Sequence, residues 1–170
     1  MSPQPDQVIV VSDKPIDTEF EVVIETDIHL SSFRNAGVKA ATGTWFVPAD
    51  LDDEPYPNYC DNLPDADIVA FALQIGDSVW RGNPGYWENA LDLSTPNPLV
   101  SCSAIKRDLV MQVPYRRVGW EDWALWLDLK RAGARVHFDH TPRFKRNNVA
   151  GSLSKIDVAK KDAEIMRLKG

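Results

Sequence analysis

The chain has 170 residues, of which 44% are hydrophobic and 26% charged, and its formal net charge is -6 at pH 7. This composition is typical of one globular domain with a buried core, and the acidic balance argues against broad electrostatic binding to nucleic acid. No apolar run approaches the roughly 18 residues needed to cross a bilayer, and no basic stretch followed by an apolar one opens the chain. We therefore expect a cytoplasmic protein without a membrane span. Cys60 and Cys102 lie far apart in the sequence and are expected to be ordinary thiols.

Strands and helices are expected to alternate in the first half of the chain. Runs of β-branched and aromatic residues predict strands, and an alanine-rich segment that stops at Gly43 predicts a helix. The strands are expected at residues 7–12, 20–25, 44–49 and 67–75, the long helix at 31–42, and a short helix at 56–63. The third strand leads into the acidic segment Asp50, Asp52 and Asp53.

The second half begins with a segment rich in glycine, proline and asparagine at residues 83–98, which predicts a long surface loop. The clearest helix is expected at 120–131, because apolar residues recur there at helical spacing before Gly133. A short strand and a short helix are expected within 99–113, a last strand at 135–138, and a final helix that starts near Ser154 and Asp157.

This alternation predicts the α/β class, with a mixed, mostly parallel sheet flanked by helices in a single domain at residues 1–150. Residues 151–170 are expected to form an amphipathic helix. That helix packs on its own domain or forms the contact of a homo-oligomer, and the sequence leaves both alternatives open.

The acidic segment is the first candidate site. Three carboxylates within four residues repel one another unless a cation or water separates them. Mg²⁺ is commonly held by one or two carboxylates together with substrate phosphate oxygens, and Mn²⁺ accepts the same oxygen ligands. Ligands of α/β sheets also tend to bind beyond the carboxyl ends of strands. The alternative is a solvated acidic turn.

Several segments, in order, resemble the family 2 glycosyltransferases of the GT-A fold. Segments 34–37 (RNAG) and 43–53 (GTWFVPADLDD) are similar to that family's Arg-Asn-x-Gly helix and to its strand ending in Asp-x-Asp-Asp. Segment 97–107 (NPLVSCSAIKR) resembles the acceptor-side segment, and segment 119–126 (GWEDWALW) resembles the Gly-x-Glu-Asp helix start. Segment 136–146 (VHFDHTPRFKR) is similar to the strand and basic turn that follow.

The N-terminal part departs from the family pattern. Residues 8–13, with Asp17 four residues on, look like the family's second strand and its aspartate turn, so the first strand and helix are expected to be missing. The resemblance therefore implies a GT-A-like domain that is trimmed in the half that holds the nucleotide base. Which nucleotide it binds stays open.

The resemblance implies an inverting, metal-assisted transfer of a sugar. The donor would be a nucleoside-diphosphate sugar, the acceptor a hydroxyl of a glycan, a protein or another molecule, and the cofactor Mn²⁺ or Mg²⁺. Asp52 is expected to be the principal metal ligand, with Asp50 close to the ribose or the metal and Asp53 in support. His140 is a candidate further ligand, and its alternative is a surface histidine before a turn.

The reaction also needs a general base, because the acceptor hydroxyl loses its proton as it attacks the anomeric carbon. Asp122 is the expected base and Glu121 the second candidate. Burial beside Trp120 and Trp123 would raise the pKa of a carboxyl group toward a useful value. The alternative is that acids in the first turn of a helix only complement its dipole, and that the tryptophans belong to the core.

Four further residues are expected at the substrate. Asp13 would accept a hydrogen bond from the nucleobase, or only end its strand. Arg146 would meet diphosphate oxygens, or lie in a solvated basic turn. Arg34 would lie beside the cation site, or only cap its helix. Trp87, in the aromatic-rich loop, would stack on a sugar ring, or fix the loop to the core.

Two other functions fit the same residues. One is a different metal-dependent nucleotide-processing enzyme, such as a nucleotidyltransferase or phosphodiesterase, that uses the same acidic cluster. The other is a non-catalytic GT-A-like module that binds a glycan or a partner protein.

Overall fold

The computed structural model describes residues 5–147 and 157–170 as an α/β protein. The strands are β1 (Ile9–Ser12), β2 (Glu21–Ile24), β3 (Trp45–Phe46), β4 (Asp53–Pro55), β5 (Ile68–Ile75), β6 (Ser78–Arg81), β7 (Ala104–Lys106) and β8 (Val136–Arg146). The helices are α1 (Leu30–Ala40), α2 (Pro84–Glu88), α3 (Arg107–Gln112), α4 (Glu121–Arg131) and α5 (Val158–Lys169). None of the helices in this part of the chain has the length and apolarity required to cross a bilayer.

The strands form a small and a large sheet. β1 and β2 pair in parallel, and the large sheet has the order β3-β7-β5-β8-β4 with β6 paired to β5. In the large sheet only β5 and β8 pair in parallel among the described strands, and the other pairings are antiparallel. The sheet is thus mixed, as expected, but the expected predominance of parallel strands is not found. The reason is that β4, β6 and β7 are short antiparallel strands that return beside the long β5 and β8.

β5 is the centre of the core because both of its faces are buried. Ile68 and Ala70 contribute to a cluster with helix residues such as Leu125 and Trp126 of α4. Val69 and Phe71 contribute to a second cluster on the opposite face, which is made of strand and loop residues. A continuous apolar run is the sequence pattern of a strand that is covered on both sides. The sheet therefore has helices against one face and loops against the other.

Most predicted elements are present with slightly different ends. The strand expected at 44–49 is only the two-residue β3, and 56–63 forms turns in place of a short helix. The last strand, β8, continues well past 138 to Arg146, and the loop at 83–98 contains the short helix α2. Ser154, expected near the start of the final helix, lies outside the described residues, as does the expected domain boundary at 150.

The C-terminal helix α5 packs on its own domain. Ile165 is fully buried in a cluster with Ala124 and Leu127 of α4, and Leu168 packs against the same cluster. Helix α5 therefore packs against α4.

Candidate active site

The three aspartates lie in the turn between β3 and β4. The backbone N–H of Asp53 donates to the carbonyl oxygen of Asp50 at 2.9 Å, which closes the turn with Leu51 and Asp52 at its tip. One carboxylate oxygen from each of Asp50, Asp52 and Asp53 lies within 4.8 Å of the others. The turn brings the three carboxylates together because it reverses the chain within four residues. The cluster thus follows β3 at a distance of a few residues and ends at the first residue of β4.

Arg146 reaches this cluster through strand pairing. β4 and β8 are antiparallel with Asp53 opposite Arg146. The Arg146 guanidinium donates to both carboxylate oxygens of Asp53, at 2.7 and 2.8 Å, and to Asp50 Oδ2 at 3.3 Å. These hydrogen bonds to Asp53 hold the pKa of Arg146 above its usual value, and burial raises the pKa of Asp53. Arg146 therefore lies at the carboxylate cluster, where its guanidinium donates to both Asp50 and Asp53.

Arg34 approaches the cluster from α1. Its guanidinium donates to Asp50 Oδ1 at 3.1 Å, and its Nη1 lies 2.9 Å from Oε1 of Glu121 in an ion pair without hydrogen-bond alignment. The guanidinium also lies over the ring of Tyr115, at 5.4 Å from the ring centroid. Burial alone would lower the pKa of Arg34, but the charge of Glu121 and its neighbours raises it above the usual value. Arg34 links the acidic turn to the start of α4.

The side chain of Asn35 fixes the backbone of Tyr115, the residue whose ring the Arg34 guanidinium contacts. Its side-chain amide donates to the carbonyl oxygen of Tyr115 and accepts from the Tyr115 N–H, both at 2.9 Å. A backbone segment that is fixed in this way holds the Tyr115 ring in place beneath the Arg34 guanidinium. Neither the sequence pattern of α1 nor that of residues 113–116 indicates this contact, because it joins positions 80 residues apart.

Glu121 and Asp122 form the first turn of α4 and are both buried. Burial raises the pKa of Glu121 to about 7, against the opposing effect of the Arg34 charge. Asp122 has a different partner, since its Oδ2 lies 3.5 Å from the side-chain nitrogen of Asn97. Of the two acids, Glu121 is the counter-ion of Arg34 and Asp122 carries no ion pair within the described residues.

These groups face one cleft of about 1470 Å³. Its described lining includes β1, one face of α1, the segment from Gly43 to Asp53, Ser101, the start of α4, Arg146 and Lys161. Six carboxylates but only three cationic side chains are among these residues, so acids exceed bases by three. An excess of negative charge in a half-buried cleft favours a bound cation.

Asp52 is the carboxylate best placed to hold such a cation. It lines the cleft, is half-buried, and enters no ion pair within residues 5–147 and 157–170, whereas Asp50 and Asp53 share arginines. A divalent ion prefers anionic oxygen ligands, and Asp50 retains oxygen lone pairs beside its two arginine contacts. The cluster of Asp50, Asp52 and Asp53 could therefore hold a metal ion through carboxylate oxygens.

Three of the expected site residues are not brought to this cleft. His140 is exposed on β8, and it belongs neither to the carboxylate cluster nor to the described lining. Asp13 is exposed just after β1, whose residues from Ile9 to Ser12 do line the cleft. Trp87 is only 4% exposed and packs in the core with Leu129. His140 thus lies within β8, Asp13 follows β1, and Trp87 lies in α2.

The remaining expected residues do meet. Asp50, Asp52, Arg34, Arg146, Glu121 and Asp122 all line the same cleft, although they come from four separate parts of the chain. The neighbouring basic side chain Arg143 does not join them, because it pairs with Asp139 and donates to the carbonyl oxygen of Asn58.

No protein-family model matches the chain, and no curated protein matches it.

The stability of this site rests on the buried Arg34–Glu121 pair, so we expect Arg34→Met to destabilise the protein by about 3–5 kcal/mol. The reason is that the substitution leaves the Glu121 carboxylate, 7% exposed, without its counter-charge. Urea unfolding measures the difference. The matched control is Arg117→Met, which breaks an exposed pair with Asp27 and should cost less than about 1 kcal/mol. Equal costs for the two variants would contradict the structural role given to Arg34.

Proposed function

We propose that this chain is an inverting, metal-dependent glycosyltransferase with a GT-A-like domain. It would move a sugar from a nucleoside-diphosphate sugar to a hydroxyl of an acceptor. The observation that carries the proposal is that a three-carboxylate cluster and the buried acid Asp122 line one large cleft. The order of the segments that resemble family 2 glycosyltransferases supports the same function.

The chemistry has two requirements that these residues can meet. A divalent ion held by Asp52 and Asp50 would act as a Lewis acid that neutralises the charge of the departing diphosphate. Asp122 would accept the proton of the attacking hydroxyl, because its carboxylate faces the cleft without an ion-pair partner in the described chain. Arg34 would hold Asp50 and the start of α4 in fixed relation, and Arg146 would hold Asp50 against Asp53.

The donor would lie along the cleft between β1 and the acidic turn. Residues of β1 and the aspartates both line the cleft. A nucleobase against the apolar side chains of β1 would leave the diphosphate near Asp52. The sugar would then point toward Asp122, on the side where the acceptor enters.

A panel of sugar nucleotides with Mn²⁺ tests this function directly. We expect release of a nucleoside diphosphate, measured by chromatography, with at least one donor and with a suitable glycan, peptide or alcohol acceptor. Release of a nucleoside monophosphate or of pyrophosphate would instead indicate another metal-dependent nucleotide-processing enzyme. The absence of all these products, with the folded chain and Mn²⁺ present, would contradict a catalytic role.

A non-catalytic binding module is the second candidate, and one observation favours it. Arg34 and Arg146 already pair with Asp50 and Asp53, so two of the three carboxylates of the acidic turn have partners within the protein. In that case Mn²⁺ would not bind, and a glycan or partner protein would occupy the cleft regardless of the metal. Titration with Mn²⁺ distinguishes the two candidates before any donor is known.

A further inference from the structure

The C-terminal helix α5 contacts the segment that leads into the acid pair of α4. The backbone N–H of Gly119 donates to Oε2 of Glu164 at 2.7 Å. The indole N–H of Trp120 donates to Oδ1 of Asp162 at 2.9 Å. Gly119 and Trp120 directly precede Glu121, and both line the cleft. We call these two hydrogen bonds the α5 clamp.

The two segments approach so closely that a Cβ atom at position 119 would force one of them to shift. A Cβ atom there would lie 2.1 Å from Cγ of Lys161 and 3.0 Å from its Cβ, well inside van der Waals contact. The Lys161 ammonium lies over the Trp120 ring, 4.6 Å from the centroid. Trp120 itself provides no side-chain cap for α4. The start of α4 is therefore held by α5 on one side, in addition to the ion pair of Glu121 with Arg34.

α5 is in turn anchored to the body of the protein at its far end. Ile165 is fully buried, and Lys169 is only 7% exposed although it carries a charge. The Lys169 ammonium donates to the carbonyl oxygens of Asp92 and Thr95 and lies over the Trp123 ring. Because a buried ammonium needs such partners, this end of α5 has a defined position. A helix fixed at this end can hold residues 119 and 120 in place.

We propose that Glu164 and Asp162 are positioning residues that fix the start of α4, so that Asp122 is held at its place in the cleft. This inference rests on the proposed function, in which Asp122 accepts the proton of the acceptor hydroxyl. General bases act only within hydrogen-bond reach of the proton they remove. A displacement of about 1 Å can cost about 10²-fold in rate, so a contact outside the reacting groups can control turnover.

The test compares Glu164→Ala with Glu164→Gln in the full chain. Glu164→Ala removes the acceptor of the Gly119 N–H, and we expect turnover to fall about 10- to 100-fold while the KM for the donor stays unchanged. Glu164→Gln keeps a side-chain oxygen at the same distance and should restore most of the activity. Lys160→Ala, an exposed change on the same helix, should have no effect. A Glu164→Gln variant as impaired as Glu164→Ala would overturn the proposal.

A second measurement tests the α5 clamp and does not depend on enzymatic activity. Hydrogen exchange of the Gly119 amide should be faster in Glu164→Ala and unchanged in Lys160→Ala. An unchanged exchange rate of the Gly119 amide in Glu164→Ala would show that Glu164 does not hold this amide, and would overturn the proposal. Accelerated exchange in a chain without any glycosyl transfer would instead reject the proposed function and leave the contact itself established.

The close approach of Lys161 to Gly119 allows an independent test with a second set of variants. Gly119→Ala should push α5 away and lower turnover as Glu164→Ala does. Adding Lys161→Ala removes the Cγ atom that the new methyl group would meet, so the double variant should recover part of the loss. A double variant no more active than Gly119→Ala would contradict the close approach as the cause.

Discussion

Asp52→Asn is expected to lower turnover at least about 10²-fold, the size of effect typical for removing one group that stabilises developing charge. The amide keeps the shape of the side chain but removes the negative charge that would hold the divalent ion. The change should leave the fold intact, because Asp52 is half-buried and enters no ion pair within the described residues. The rate of nucleoside diphosphate release with saturating donor and Mn²⁺ is the measurement.

The control for this variant is Asp77→Asn, which makes the same chemical change at an exposed position between β5 and β6. It should behave as the unmodified chain. Raising the Mn²⁺ concentration should recover part of the activity of Asp52→Asn, because Asp50 would remain as a ligand in the proposed site. An Asp52→Asn variant with full activity at low Mn²⁺ would show that the acidic turn does not hold the ion.

Asp122→Asn is expected to lower kcat by about 10²- to 10⁴-fold, the usual contribution of a general base. The KM for the donor should change little, since the lost interaction belongs to the acceptor proton and not to donor binding. Asp122 can keep its contact with Asn97 through the remaining oxygen, so the start of α4 should stay in place. Initial rates at varied donor concentration, with acceptor in excess, separate the two parameters.

Glu121→Gln is the matched comparison in the same turn. Glu121 is the counter-ion of Arg34, so its loss should act mainly through stability and through the position of Arg34. Burial raises the pKa of Glu121 to about 7, and the charge of Arg34 opposes this rise. A larger fall in kcat for Glu121→Gln than for Asp122→Asn would transfer the role of base to Glu121.

The sequence predicted most of the elements because local pattern determines them. Helix α4 shows apolar residues at helical spacing and a glycine after its end, and β5 is a long apolar run. β4 and β6 were missed, since Asp53–Pro55 and Ser78–Arg81 have few β-branched residues and no apolar alternation. They form strands because β8 and β5 offer unpaired edges beside them.

The candidate site was predicted less completely than the helices and strands, because many of its contacts join residues that are far apart in the sequence. The carboxylates of the acidic turn are neighbours in sequence, and their clustering could be foreseen. The hydrogen bonds of Arg146 to Asp53 join residues 93 apart and follow from the register of β4 on β8. Trp87 could not be assigned to core or substrate, because an aromatic residue in a loop fits both until its neighbours are known.

The central claim is that a divalent ion at the acidic turn stabilises a bound diphosphate, and calorimetry tests it most directly. We predict that Mn²⁺ binds the unmodified chain and increases its affinity for a nucleoside diphosphate, and that Asp52→Asn loses this increase. Two results would contradict a metal role for the acidic turn. One is an affinity for the diphosphate that is the same with and without Mn²⁺, and the other is an increase with Mn²⁺ that persists in Asp52→Asn.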